Sequence, residues 1–301
     1  MSRRITHLIC DLDNTLYDWV SFFVPSFYAM VEKIVEIVGC DREVLLEDFR
    51  QVHMRNRDSE HGFAALETET LRSHFAGMSP AEIARHIDPA LHAYNRMRKE
   101  RLKTYPRVHE TLTFLRSSGV RLVAHSEAKF HSIADRLSRL SLFEYFDTVY
   151  CRERSASSHP DPDKARTVAS APELAKIVEL SHHQRKPSVD VLLEICGREK
   201  AAAEASAYVG DSIPKDIAMA NQAGLFSVWA RYGATLDPEA YEQLVRVSHW
   251  TAEEVEQERE FRRRSATVQP RAVLEHGFYE ILDVLSLRRE FDQDSAASFG
   301  S

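Results

Sequence analysis

Hydrophobic residues fall into two recurring patterns along this chain. The first is a short apolar run that stops abruptly at acidic or hydroxyl residues. Thr6 to Cys10 runs into Asp11-Leu12-Asp13-Asn14-Thr15, Val120 to His125 into Ser126-Glu127, and Ala207 to Gly210 into Asp211-Ser212. Apolar runs of this length and continuity mark strands buried on both faces, as in a parallel sheet. Thr148 to Cys151 and Phe226 to Ala230 have the same character, which predicts about five parallel strands. The second pattern has helical period and flanks those strands, over Val108 to Ser117 and over Pro214 to Ala223, with Gly224 as a helix stop. Alternation of the two predicts an α/β fold, a Rossmann-like open parallel sheet flanked by helices. In such sheets ligands sit beyond the carboxyl ends of the strands, where the three polar clusters converge.

Between the first strand and Pro106 no strand pattern occurs, and the periodicity reads as four or five amphipathic helices. One start is plain: Ser79-Pro80-Ala81-Glu82 supplies a capping Ser, a Pro at the first helical position and a Glu at the third. The expected organisation is a core of residues 1–16 and 106–250, an all-helical insertion of residues 17–105, and a charged helical extension of residues 251–301 ending in a polar tail, DQDSAASFGS. The stretch from about Arg152 to Arg185 holds a Ser/His/Pro-rich piece, SASSHPDPD, and then a helical segment, and reads as an insertion at the rim of the sheet. His182-His183, adjacent and so pointing apart on a helix, and Arg262-Arg263-Arg264 after a run of Glu read as solvated charge rather than ligands.

Composition narrows the partners. In 301 residues, Lys+Arg number 39 against Asp+Glu 46, a formal net charge of −7. A mildly acidic surface offers no attraction to nucleic acid polymers or anionic membranes. Neither a secretory leader nor a run of about 20 apolar residues is visible. Four cysteines, Cys10, Cys40, Cys151 and Cys196, form no C-x-x-C pair and fit a reducing compartment, so a cytoplasmic protein, monomeric or homodimeric, is expected.

The polar clusters carry the chemistry. Asp11 and Asp13 stand two residues apart after a buried strand, so in extended backbone both side chains leave on the same side about 6.6 Å apart. Close carboxylates split their proton affinities, which lets one serve as nucleophile or metal ligand and the other as proton donor. A solvated turn built on Asn14 and Thr15 is an equally open reading of that segment alone. Asp211 and Asp216, in GDSIPKD, add two hard oxygen donors to the same rim, of the kind a magnesium ion takes, or Asp211 or Ser212 simply caps the helix from Pro214.

The segments ICDLDNTLYD and YVGDSIPKDIAMANQAG resemble the first and last motifs of the haloacid dehalogenase-like hydrolases, in the branch with a helical cap inserted after the first motif. That resemblance spans roughly Ile5 to Gly233. It implies a phosphatase in which Asp11 attacks phosphorus to form an aspartyl-phosphate and Asp13 serves as acid and then base. It further implies a magnesium ion held by Asp11, the Asp13 carbonyl and Asp211, with Asp216 close by. Ser126 matches the family's phosphate-binding hydroxyl, although Glu127 after it departs from the usual neutral residue. That carboxylate repels a phosphate dianion unless it points away or meets a cation, or else it faces solvent and begins the helix from Lys129. Lys186, before Pro187, matches the family's phosphate-binding lysine, with Lys164 as competitor. Asn14, Thr15 and Tyr17 are further candidates to line the substrate pocket, Tyr17 where cap and core meet.

The implied substrate is a small phosphorylated metabolite, a nucleotide or a sugar phosphate. Two rivals stand beside this reading. One is a catalytically weak relative that binds a ligand or partner, prompted by Glu127, the rim insertion and the charged C-terminus. The other is a dehalogenase, which would need no proton donor such as Asp13.

Overall fold

The apolar runs do become strands. In a computed structural model, which describes residues 4–154, 171–235, 237–256, 260 and 268–285, they are β1 (His7–Cys10), β2 (Arg121–Lys129), β3 (Thr148–Arg152), β4 (Ile177–Leu180), β5 (Ser206–Gly210), β6 (Phe226–Ala230) and β7 (Ala272–Leu274). Among the described residues they form one seven-stranded sheet in the order β4-β3-β2-β1-β5-β6-β7, every pair parallel. Period-two alternation assigns the faces. Leu8 and Cys10 join Leu122, Ala124, Val209 and Val228 in one apolar cluster, whereas Ile9 joins Val123, Tyr150 and Tyr208 in the other. Helices α6 (Val108–Ser117) and α7 (Phe130–Arg139) cover the first face, and α9 (Val189–Glu199) and α10 (Ala218–Gln222) the second.

Five helices precede α6: α1 (Trp19–Val38), α2 (Arg42–Asn56), α3 (Glu69–His74), α4 (Pro80–His86) and α5 (Asp88–Arg101). The capping box at Ser79 and Glu82 forms as read. The two connections joining these helices to the sheet run side by side. Tyr17 pairs antiparallel with Thr104, and the Tyr105 N–H donates to the Leu16 carbonyl at 2.9 Å. The helices also dock on α12 (Pro238–Val247), which follows α8 (Ala171–Leu174) and α11 (Arg231–Ala234) in the chain. There Tyr28 donates its hydroxyl to the Gln243 carbonyl at 3.1 Å, Arg50 reaches the Val245 carbonyl at 2.9 Å, and His53 Nδ1 lies 2.6 Å from the Val247 carbonyl.

The structure corrects the sequence in three places. Two further strands extend the five expected: β4 lies inside the stretch read as an irregular rim insertion, and β7 inside the extension read as helical. Both are sheet edges, short and half-buried, so neither carries the continuous apolar run that betrays a central strand. Strand β2 continues to Lys129, with a register irregularity after His125, so Ser126 and Glu127 sit in extended backbone and the helix begins at Phe130. The helix expected over Pro214 to Ala223 splits into a wide turn at Ile213–Ile217, where the N–H groups of Asp216 and Ile217 both donate to the Ser212 carbonyl, followed by α10. Lys164, the SASSHPDPD piece, Arg262 to Arg264 and the DQDSAASFGS tail lie outside the described residues. Among the described residues no helix is long and apolar enough to cross a membrane.

Candidate active site

Asp11 follows directly on the central strand β1, its N–H donating to the Val209 carbonyl of β5 at 2.9 Å. The chain then turns sharply: Asn14 adopts φ 58°, and the N–H groups of Thr15 and Leu16 both donate to the Leu12 carbonyl. That turn brings the Thr15 hydroxyl back to Asp11, where it donates to Oδ2 at 3.1 Å. Lys186 Nζ donates to the other oxygen, Oδ1, at 2.5 Å and to Asp216 Oδ1 at 2.9 Å. Lys186 is held from behind, because its backbone N–H donates to Glu127 Oε1 at 2.9 Å while Arg185 pairs with Glu127 Oε2 at 3.5 Å. Of the alternatives open for Glu127, the structure shows the carboxylate meeting a cation.

Asp216 folds back over the end of β5 from the wide turn. Its Oδ2 accepts the Ser212 N–H at 3.1 Å, and its Oδ1 accepts the Tyr208 hydroxyl at 3.2 Å. Only a residue without a side chain fits beneath it, since a Cβ at Gly210 would lie 2.4 Å from the Asp216 carboxyl carbon. Gly233 plays the same part for the first loop, where a Cβ would stand 1.6 Å from the Asn14 carbonyl oxygen. Asp211 is fixed through its carbonyl, which accepts the Trp229 indole N–H at 2.9 Å.

Oxygens of Asp11, Asp211 and Asp216 all lie within 4.8 Å of one another. Burial, with the charge of Asp216 added, raises Asp11 to about 7 against the pull of Lys186. Lys186 itself is pushed up: burial opposes its charge, but the carboxylates of Asp11 and Asp216 outweigh that. His125, within 3.3 Å of the Tyr208 hydroxyl, is driven down by burial and by Lys186, and so stays neutral. Three hard oxygen donors around one point, with one ammonium between two of them, suit a divalent cation that takes oxygen ligands.

The expected residues thus divide. Asp11, Thr15, Lys186 and Asp216 are linked by hydrogen bonds, with Asp211 alongside. Ser126 is buried at the end of β2, its hydroxyl oxygen accepting the Ala128 N–H at 3.1 Å. Asn14 turns its side chain to the start of α1, accepting the Trp19 N–H at 3.0 Å. Tyr17 is fully buried. Asp13 pairs with Arg136 of α7, which also binds Glu60 in the loop after α2, and its charge is near enough to add to the upward push on Asp11. Arg136, Glu60 and Tyr208 carry no motif. Arg136 and Glu60 stand outside every cluster the sequence singles out, and Tyr208 lies within the apolar run Ala207 to Gly210.

A family model described as haloacid dehalogenase-like hydrolase matches residues 5–224. The glyceraldehyde 3-phosphate phosphatase of Methanopyrus kandleri is 28% identical over 239 residues, spanning 78% of this chain and 88% of that protein. Its namesake from Methanocaldococcus jannaschii is 21% identical over 240 residues, with 78% and 89% covered. In fold, the 2-haloacid dehalogenase of Pseudomonas syringae pv. Tomato DC3000 superposes with a TM-score of 0.52 at 20% identity, covering 93% of this chain and 97% of that one. With its motifs in order along a parallel sheet and the family pattern matched over most of its length, this chain belongs to the haloacid dehalogenase-like hydrolases.

Proposed function

We propose that the protein is a magnesium-dependent phosphatase acting on a small phosphomonoester through an aspartyl-phosphate. The observation that carries this reading is the Asp11 carboxylate, buried at the end of the central strand and clamped between Lys186 and Thr15. Those two bonds fix its orientation for attack on phosphorus, and attack breaks the ester P–O bond. Asp13 gives its proton to the departing oxygen, then takes one from the water that hydrolyses the Asp11 acyl phosphate and frees inorganic phosphate. Lys186 and the Ser126 hydroxyl bind phosphoryl oxygens. Asp11, Asp211 and Asp216, with the Asp13 carbonyl, hold the metal. When bound, magnesium neutralises charge on the phosphoryl group.

The helices α1–α5 act as a cap over this site, with Asn14 and Tyr17 at its junction with the core, and select the leaving group. The names of the two relatives make triose phosphates the first substrates to try, beside sugar phosphates and nucleotides. The four free thiols are in keeping with the cytoplasm.

The test is hydrolysis of p-nitrophenyl phosphate and a panel of these esters, with magnesium or with chelator, beside Asp11→Asn. Turnover that needs magnesium and drops by about a thousandfold or more in the variant is expected. Undiminished turnover in Asp11→Asn, or none by the wild type on any ester, would sink the reading.

A further inference from the structure

We infer that Arg136 is a positioning residue for the proton donor Asp13 and that Glu60, in the loop after α2, holds Arg136 in place. The inference rests on the phosphatase reading above. Arg136 leaves α7 with 2% of its side chain exposed, and its two terminal nitrogens go to different acids, Nη1 to Asp13 Oδ1 and Nη2 to Glu60 Oε2. Its guanidinium lies over the rings of Tyr17 and Phe22, 5.9 and 5.5 Å from their centroids. A buried guanidinium is tolerated only while its charge is paired, so neither acid can leave it without a large penalty. Because the guanidinium is planar and rigid, fixing one end fixes where the other end meets Asp13.

The neighbours of this triad are locked as well. Asp135, next to Arg136, pairs with Arg98 of α5 at 2.9 Å, and Asp58, two residues before Glu60, pairs with Lys129 of β2 at 3.0 Å. Three ion pairs therefore join α2's following loop and α5 to β2 and α7, and the middle one ends on Asp13. Placement of the proton donor is thereby coupled to the placement of residues 58–60.

The chemical consequence is selective. Protonating the leaving oxygen matters most when that oxygen would otherwise depart as a strong base. Phenolate is a much stronger base than p-nitrophenolate, while the two phosphate esters are nearly the same size. A loosened Asp13 therefore slows phenyl phosphate more than p-nitrophenyl phosphate. A merely structural role for Arg136 would lower both equally.

The experiment compares kcat/KM for these two esters, with saturating magnesium, in the wild type, Arg136→Lys, Glu60→Gln and Asp13→Asn, with a thermal melt of each. The ratio of phenyl to p-nitrophenyl phosphate is expected to fall about tenfold or more in Arg136→Lys and less in Glu60→Gln, with Asp13→Asn as the limit. Glu60→Gln keeps the shape of the side chain and carries the test if Arg136→Lys does not fold. An unchanged ratio in either folded variant overturns the inference, even though both rates fall. A wild type that hydrolyses neither of these esters nor any other of the panel overturns the underlying phosphatase reading instead, and one that turns over only other esters is tested with a pair of them that differ in leaving-group basicity, so the two failures are told apart.

Discussion

Gly210 and Lys186 fix Asp216 from opposite sides, one by making room and the other by charge. A Gly210→Ala change places a methyl group 2.4 Å from the Asp216 carboxyl carbon, so the carboxylate must swing out. We expect a loss of about 1–3 kcal/mol in stability from the overpacking, read by urea melts, together with weakened magnesium binding by titration calorimetry. Lys186→Met strikes harder. It leaves the buried carboxylates of Asp11 and Asp216 without their shared cation, a loss of about 3–5 kcal/mol. At this scale the sequence was informative wherever motif residues are neighbours in the chain, as in Asp11 to Thr15. It was silent on Arg136, Glu60 and Tyr208, because the pairing of Arg136 with Glu60 and Asp13 exists only once β2 and the helical segment come together.

The docking of α2 and its following loop on α12 is sensitive to pH through two histidines. His249, just beyond α12, lies with Nδ1 3.0 Å from the Ser59 hydroxyl and is pushed down to about 4 by burial, with Arg185 and Arg152 adding to the shift. His53 on α2 is lowered by burial in the same sense. Between pH 6.5 and about 4 the unfolded chain therefore binds more protons than the folded one. Stability from His249 is full above pH 6.5 and is lost as pH falls through that window, by roughly 3 kcal/mol when complete. Denaturant melts at pH 7 and pH 4.5 check this, with His249→Asn expected to shrink the difference; an equal loss in the variant would refute the assignment. Central strands and long helices were legible as patterns, whereas the edge strands β4 and β7 were not, since a strand of three or four residues with a single fully buried position has no distinctive period.

For the molecule as a whole, the proposed metal would be held by Asp11 just after β1 and by Asp211 and Asp216 after β5, and so would tie together segments two hundred residues apart and bind only the folded chain. Magnesium at about a hundred times its dissociation constant then adds about 2.7 kcal/mol, a rise of roughly 5 °C in melting temperature. Sodium at matched ionic strength should give no such rise, nor should magnesium with Asp211→Asn. The α/β class and the end of the sheet where Asp11, Asp211 and Asp216 gather could be read in advance because both follow from where apolar runs stop. The docking of the inserted helices on α12 could not, since it uses backbone carbonyls that any sequence carries. The strand order has a further consequence, for synthesis. The first strand made, β1, lies at the centre of the sheet, between β2 and β5. One of its edges waits for roughly 200 further residues to be translated, about 10–40 s at ribosomal speed. Once β2 has been made and has paired with one side of β1, the side that faces β5 stays open until the interval ends, and chaperones would find their client in that edge of His7–Cys10.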